Sequence, residues 1–277
     1  MQEISNILDG KALRERILAD LKKRVEALEE KPKLIVFLVG KDPASELYVG
    51  NKEKACAQLG MRSEVVKLDE KISENELIGI IKKKGREAHA MLVQLPLPKH
   101  ISEERVIEAI PPEKDADGLH PLNMGKLLRN EKGIVSCTPK GIMRLLDEHK
   151  IELKGKRAIV IGRSNIVGKP IAILLMHRHA TVTIAHSRTQ NLDELILEND
   201  VVVAAVGKIG LVKDVKKGAI VVDVGMNRTE KGFVGDVDFE KVKSKASYIT
   251  PVPGGVGPMT IAMLMENTIE CFEMQKK

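Results

Sequence analysis

Residues 156–170 read KRAIVIGRSNIVGKP, and the fold turns on this stretch. A basic lead-in precedes a short apolar run, Ala158 to Ile161. Gly162-Arg-Ser-Asn-Ile-Val-Gly168 follows, and then an amphipathic helical pattern through His177. A buried strand, a glycine turn and a helix N-terminus, in that order, are what a dinucleotide pyrophosphate requires. Free backbone N–H groups and the positive helix end meet the phosphates, and glycine lets the backbone approach closely. The spacing departs from G-x-G-x-x-G, because Ser164 holds the second glycine's place and the third glycine falls at 168 instead of 167. Taken alone, such a turn reads equally well as an ordinary strand-to-helix connection.

The sequence downstream agrees with the first reading. Thr181 to Ala185 reads as a second strand, Val201 to Val206 is a fully apolar run ending in Gly207, and Ala219 to Val224 is another ending in Gly225. Buried strands with helical spacers are the doubly wound parallel pattern. An NAD site usually places an acid at the end of the second strand, about 20 residues past the first glycine, for the ribose 2′-OH. Here that place reads His186-Ser187-Arg188-Thr189, without an acid. A hydroxyl and a guanidinium suit a 2′-phosphate, and Arg163 is available to help, so the pattern points to NADP rather than NAD. The alternative for Arg188 is a solvated loop residue.

Composition narrows the class. The chain has 277 residues, 43% hydrophobic and 30% charged, ordinary for one or two globular domains. No apolar run approaches the ~20 residues of a membrane span. MQEISNILDGKALRERI has no apolar signal core, and Cys56, Cys137 and Cys271 are scattered, so a cytoplasmic protein with reduced thiols is expected. The net charge of +6 is spread without a dense basic run, and six aromatics with no Trp leave little to stack on bases. Both features argue against a nucleic-acid partner.

The first ~110 residues carry their own β-α repeat. Ile7 to Leu28 predicts a long amphipathic helix and Lys33 to Val39 a buried strand. Asp42-Pro43 starts a helix to about Leu59 with Gly60 as its stop, and Val65 to Leu68 is a strand. Ser73-Glu-Asn-Glu76 is a capping box opening a helix to about Lys84. Ala90 to Leu95 predicts a strand and Ser102 to Ile110 a short helix. Lys114 to Pro139 lacks periodicity and reads as a crossing between domains. Gly141 to His149 is the connecting helix, and the second domain spans about 120–250. After Thr250-Pro-Val-Pro-Gly-Gly-Val-Gly-Pro258, a helix from Met259 to about Met274 is expected to pack back on the first domain.

Several residues suit chemistry. Tyr48 and Lys52 are four apart on one predicted helix and share a face. A lysine partly buried beside a phenol is open to a lowered pKa and an acid–base role, and the competing reading is a surface lysine. Tyr-x-x-x-Lys also marks short-chain dehydrogenases. There the pair follows the nucleotide turn, whereas here it precedes it by about 110 residues. Gln94 ends an apolar strand before Pro96-Leu-Pro98, where polar groups face a ligand crevice or simply tether a loop. Asp115, Asp117 and His120 lack metal-site spacing, so no metal is expected. His177 and His179 read as a helix end, and His186 as part of the cofactor loop.

Together these stretches resemble the bifunctional methylenetetrahydrofolate dehydrogenase/cyclohydrolase (FolD) family. The resemblance is carried by Gly40-Lys-Asp-Pro-Ala-Ser45 with Tyr48, Val49 and Lys52, by Val93-Gln-Leu-Pro-Leu-Pro98, and by Lys114-Asp-Ala-Asp-Gly118 with His120-Pro121. Cys137-Thr-Pro139, Gly162-Arg-Ser164 with Asn165-Ile-Val-Gly168, Asp223-Val-Gly225 with Asn227-Arg228, and Tyr248 to Thr260 complete it. It implies a two-domain α/β protein with a cleft between the domains, usually a homodimer. Residues 1–119 plus 251–277 would form a folate-binding catalytic domain, and 120–250 a Rossmann-like NADP-binding domain. It implies oxidation of 5,10-methylenetetrahydrofolate to the methenyl form with NADP+, then hydrolysis to 10-formyltetrahydrofolate.

In such proteins the residue matching Lys52 is central to hydrolysis, Tyr48 orders the lysine and lies against the folate, Gln94 tunes the lysine and Asp117 holds the pterin. Gly162, Arg163, Ser164 and Ser187 match residues on the cofactor's phosphates and ribose. Met226 matches a contact near nicotinamide, and the loop Pro253 to Pro258, with Gly257, matches one bordering both ligands. Arg188 is assigned from position alone. Departures are small: Ala116 stands where many relatives have Val, and Gly50-Asn51 and Met226 vary from common choices. The rival readings are a monofunctional dehydrogenase of the same family, possibly NAD-dependent, a nucleotide sensor without turnover, and a dehydrogenase for another small substrate.

Overall fold

The computed structural model describes residues 6–230 and 232–276. The chain separates into two compact units, Glu15–Cys137 with Ile261–Lys277, and Met1–Arg14 with Thr138–Thr260. Each is built on its own parallel sheet.

The first unit contains most of α1 (Gly10–Glu26), then β1 (Lys33–Val39), α2 (Pro43–Leu59), β2 (Arg62–Leu68), α3 (Glu74–Lys84), β3 (Ala90–Val93), α4 (Glu103–Glu108), α5 (Pro121–Leu128) and most of α10 (Val256–Met274). Its sheet runs β2-β1-β3, with Phe37 of β1 opposite Val66 and Val93. Most of β1 and all of β3 are buried, which is why both read as unbroken apolar runs. Helix starts follow their caps. The Asp42 side chain accepts from Ser45 N at 2.8 Å with Pro43 at the first helical position, and Ser73 and Glu76 complete both bonds of a capping box. Gly60 ends α2 at φ +72°, a left-handed stop that suits glycine.

The second unit contains α6 (Cys137–Glu148) from Thr138 on, β4 (Arg157–Ile161), α7 (Gly168–His177), β5 (Thr181–Ala185), α8 (Leu192–Leu197), β6 (Val201–Ala204), β7 (Ile220–Asp223), the hairpin β8 (Asn227–Thr229) and β9 (Gly232–Val234), α9 (Phe239–Lys243) and β10 (Tyr248–Ile249). The five-stranded sheet runs β10-β7-β6-β4-β5, all parallel. The chain leaves β4 for β5 on one side and returns to β6 on the other. That reversal is the topological switch point at which open α/β sheets bind ligands, outside the strand carboxyl ends.

The units divide after Arg14, Cys137 and Thr260, whereas the sequence reading divides the chain at 119/120 and 250/251. Two sets of bonds account for the difference. Buried Asp115 accepts from Gly118 N, His120 N and Asn123 Nδ2, and Asn267 Nδ2 donates to Ala116 O and Val135 O. These tie residues 115–137 to the first unit and to α10. At the other end Ile249 N donates to Asn6 O and Leu8 N to Ile249 O, so residues 6–8 bridge to β10 of the second unit, and Lys11 N at the start of α1 donates to Gly254 O.

Helix α5 lies inside the stretch read as an irregular crossing. Its cap is the His120 ring, whose Nδ1 accepts from Leu122 N, a residue outside the usual capping set. Leu122 and Leu128 are both exposed and blur the helical period. The strands expected to reach 206 and 224 end at 204 and 223, and α10 starts at Val256, three residues before the expected Met259. Among the described residues no helix is long and apolar enough to cross a membrane.

Candidate functional sites

In the first unit, Tyr48 and Lys52 lie one turn apart on α2. Lys52 Nζ donates to Gln94 Oε1 at 2.9 Å. Gln94 follows β3, and its backbone N–H donates to Phe37 O, so it sits at the carboxyl end of the sheet. Its Nε2 donates to Leu95 O at 2.8 Å. Reversing the amide would set a donor against the ammonium and an acceptor against a carbonyl, so the two bonds fix its orientation. The Leu95-Pro96 peptide just beyond is cis. Tyr48 is 37% exposed, and partial burial raises its phenol pKa, keeping the hydroxyl protonated and able to donate.

Asp117 is anchored through a different set of partners. Its neighbour Asp115, 2% exposed, turns inward and holds the loop through the three bonds given above, and burial raises its pKa against those bonds. Gly118 sits at φ +69°, and a Cβ there would meet Val135 C and Ser136 N at 2.6 Å, so the loop closes only on glycine. Cys137 Sγ contacts Ala116 O and Asp117 Oδ1 at 3.4 and 3.8 Å. One acid of the pair therefore builds the loop, while half-buried Asp117 is presented by it.

In the second unit the glycine turn lies at the switch point. Gly162 N donates to Ala185 O and Ala205 N to Ile161 O, gathering the ends of β4, β5 and β6. A Cβ on Gly162 would lie 2.4 Å from Ala205 O, and one on Gly168 would lie 2.2 Å from Gly162 O. Gly168 thus supplies the close helix–strand approach one position later than the usual fingerprint places it. The helix-start N–H groups are not the free donors the sequence reading expects. Ser164 Oγ accepts from Val167 N and Gly168 N, and Ser164 O accepts from Lys169 N. The Ser164 hydroxyl proton remains for donation outward, because a hydroxyl both accepts and donates. A phosphate would meet the helix dipole, this hydroxyl and the exposed Arg163 side chain. Beyond β5, His186 N donates to Thr189 Oγ1 and Arg188 N to His186 Nδ1, a tight turn that leaves Ser187 and Arg188 exposed.

The loop before α10 is bound to the same unit. Thr250 Oγ1 accepts from Asp223 N at 2.7 Å, Val252-Pro253 is cis, and Gly254 adopts φ +112°. Gly10 backs on Gly255 so closely that a Cβ would fall 1.8 Å from its carbonyl oxygen. Gly257 and Pro258 lie in the first turn of α10 instead of in a loop, and a Cβ on Gly257 would lie 3.6 Å from Met226 Cε. The structure thereby brings Met226 and Gly257 together.

Sequence reasoning assigned no role to Asp223 or Asp236, two buried acids at the feet of these loops. The signal for Asp223 was present: like Gln94, it is a polar residue ending an apolar strand. Asp223 accepts from Gly225 N, Asp236 N and Val237 N, each at 2.9 Å. Burial pushes its pKa up to about 6, and the charge of Asp236 adds to the rise. A carboxyl raised in the folded state binds its proton there more readily than in the unfolded chain. Its stabilising contribution is therefore complete below the unfolded value of 3.8 and is lost as pH rises through about 6. Relative to Asp223→Asn, the wild type is expected to lose on the order of 2–3 kcal/mol of stability between about pH 4 and pH 7, measured by denaturant unfolding at each pH. A pH-independent difference would contradict the assignment.

Comparison with known proteins also finds two domains, with boundaries that differ from the structural units at both ends of the chain. Residues 8–117 match the catalytic-domain model of tetrahydrofolate dehydrogenase/cyclohydrolase, and residues 136–276 match that family's NAD(P)-binding-domain model. The chain is 57% identical over 272 residues to the bifunctional protein FolD of Lactococcus lactis subsp. cremoris, covering 95% of each chain. Among solved structures, it matches the bifunctional dehydrogenase/cyclohydrolase of Campylobacter jejuni with TM-score 0.95 and 47% identity, over 97% of this chain and 99% of that one. It matches the Trypanosoma brucei N5,N10-methylenetetrahydrofolate dehydrogenase-cyclohydrolase, solved with NADP cofactor and inhibitor, with TM-score 0.93 and 39% identity over 98% of each chain.

Proposed function

Because the chain belongs to the tetrahydrofolate dehydrogenase/cyclohydrolase family, we infer that it oxidises 5,10-methylenetetrahydrofolate to 5,10-methenyltetrahydrofolate with NADP+ and then hydrolyses that product to 10-formyltetrahydrofolate. The observation that carries the hydrolytic half is the Lys52–Gln94 hydrogen bond at the carboxyl end of the first sheet. Hydrolysis needs a positioned proton-transfer group and hydride transfer does not, so the lysine held in this way favours two activities over the monofunctional alternative.

Bound NADP+ supplies the hydride acceptor, and the chain supplies position. Gly162 and Gly168 admit the dinucleotide backbone, and Arg163, Ser164, Ser187 and Arg188 are assigned to its phosphates and ribose. Met226 is assigned to the nicotinamide end. Gly257 and Pro258 border the folate, Asp117 accepts hydrogen bonds from the pterin, and Tyr48 lies against the folate. In hydrolysis, water adds to the methenyl carbon, a proton leaves the attacking oxygen, and the bond to N5 breaks as N5 takes a proton. We assign that proton transfer to Lys52 Nζ, held by Gln94 Oε1. We assign the protein to the cytoplasm and to a homodimeric state, the latter checked by light scattering.

The test of the nicotinamide assignment compares the two nucleotides. NADP+ should support turnover of methylenetetrahydrofolate far better than NAD+. An Arg188→Ala protein is expected to raise KM for NADP+ by about 10–100-fold, since a charge-assisted bond is worth ~1.5–3 kcal/mol, and to leave KM for NAD+ nearly unchanged. Equal use of both nucleotides by the wild type would move the reading to the NAD-dependent alternative.

A further inference from the structure

The second unit holds a buried carboxylate that no step above employs. Asp236 is fully buried, and both its oxygens are filled. Oδ2 accepts from Val206 N at 2.8 Å and Gly207 N at 3.0 Å, while Oδ1 accepts from Lys208 N at 2.7 Å and Asn227 Nδ2 at 3.0 Å. Three successive backbone N–H groups converging on one anion form a nest, with Gly207 supplying the positive φ of +77°. Such nests usually face an external phosphate. Here the anion comes from within the fold.

The location gives the nest its meaning. Residues 206–208 follow β6, and their neighbour Ala205 O packs against Gly162, so the loop borders the switch-point crevice. The turn at residues 186–189 lies at the end of β5, on the opposite side of β4. Two apolar side chains beside groups that bond the Asp236 carboxylate are exposed, Val206 by 50% and Met226 by 45%. Asn227 ties the segment carrying Met226 to the same carboxylate. Asp236 N in turn donates to Asp223, whose own N–H donates to Thr250 at the start of the 250–258 loop. Glycines at 225 and 235 make room for the pair, since a Cβ would fall 2.2 Å from Asp236 Oδ1 or 1.8 Å from Asp223 Oδ2.

We propose that Asp236 is a positioning residue for dinucleotide use: by filling the 206–208 nest it removes that loop from phosphate binding and fixes Val206 and Met226 as an apolar contact for the half of the dinucleotide remote from its 2′-phosphate. The proposal rests on the NADP-dependent reading given above. Asp236→Asn replaces one acceptor oxygen with a donor, which leaves two N–H groups facing an N–H, and the loop should lose its fixed form.

The experiment measures three quantities on the full-length wild type and Asp236→Asn: KM for NADP+ in methylenetetrahydrofolate oxidation, the dissociation constant of 2′,5′-ADP, and the rate of methenyltetrahydrofolate hydrolysis. The expected result is a rise in KM of at least ~10-fold, equivalent to ~1.4 kcal/mol, with 2′,5′-ADP affinity and hydrolysis each within about 2-fold of wild type. Asn227→Ala removes one donor to Asp236 and should show the same split at smaller size, which keeps the test available if Asp236→Asn does not fold. An unchanged KM, or a parallel loss of 2′,5′-ADP affinity in the folded variant, overturns the proposal. A wild type that binds 2′,5′-ADP yet reduces no NADP+ overturns the activity itself, and the proposal with it.

Discussion

Replacing Lys52 with Met is expected to slow methenyltetrahydrofolate hydrolysis by about 10²–10⁴-fold, the range associated with a positioned acid–base group, and to leave NADPH formation within a few fold. Methionine keeps the length and packing of the aliphatic stem but has no proton to give or take. The helix should be unaffected, because α2 is held by its Asp42 cap and by the buried Val49, Ala55, Cys56 and Leu59 rather than by Lys52. Cys56 itself is no substitute nucleophile, since burial, with Glu53 adding, pushes its thiol pKa up to about 12. Hydrolysis is read directly from the decay of methenyl-folate absorbance. Equal rates for the two proteins would reduce Lys52 to a helix-surface cation that happens to bond Gln94.

Gly168→Ala should have the other large effect, confined to the second unit. The added methyl would lie 2.2 Å from Gly162 O, 2.5 Å from Gly162 C and 2.8 Å from Arg163 N. All three are backbone atoms, so no side chain can rotate away, and either the glycine turn or the start of α7 must move. Overpacking of this kind costs roughly 1–3 kcal/mol. It falls on the turn proposed to cradle the pyrophosphate, so KM for NADP+ should rise by more than ~10-fold, because a 1 Å misplacement costs about two decades. NADP+ should also cease to raise the melting temperature, whereas it should stabilise the wild type by mass action. Hydrolysis of methenyltetrahydrofolate should persist. Unchanged nucleotide kinetics in Gly168→Ala would show that the dinucleotide does not use this turn.

Where both faces of a strand were buried, the sequence was easy to read. KLIVFLV, RAIVI, VVVA and IVVD are apolar because parallel strands are covered on both sides, and their order exposed the two-sheet α/β plan. Capping chemistry marked the starts of α2 and α3, because Asp42 and Ser73 use side chains that normally cap. Helix α5 escaped because histidine caps it, and the β8–β9 hairpin because three-residue strands offer no period to detect. The boundaries between units were illegible for a different reason. They depend on Asp115, Asn267 and the residues before α1, whose partners are 100 or more residues away or lie in irregular chain.

The candidate sites divide in a similar way. Lys52 and Gln94 were each visible from local rules, a shared helix face and a polar strand end, but their bond spans 42 positions and emerges only when β3 is laid beside β1. The glycine turn was visible, yet the use of Ser164 as the helix cap was not, since it depends on the hydroxyl folding back toward residues 167 and 168. Asp236 gave no signal, because an acid in a loop is ordinarily solvated and this one is enclosed by partners 28–30 positions earlier.

The most direct test of two activities in one chain follows NADPH and methenyl-folate absorbance together, in one cuvette, after mixing methylenetetrahydrofolate and NADP+ with wild type or with Lys52→Met. The account predicts that the wild type forms NADPH with little standing methenyl-folate, while the variant forms NADPH and accumulates methenyl-folate almost in step with it. Identical traces from the two proteins, or no NADPH from the wild type, would contradict it.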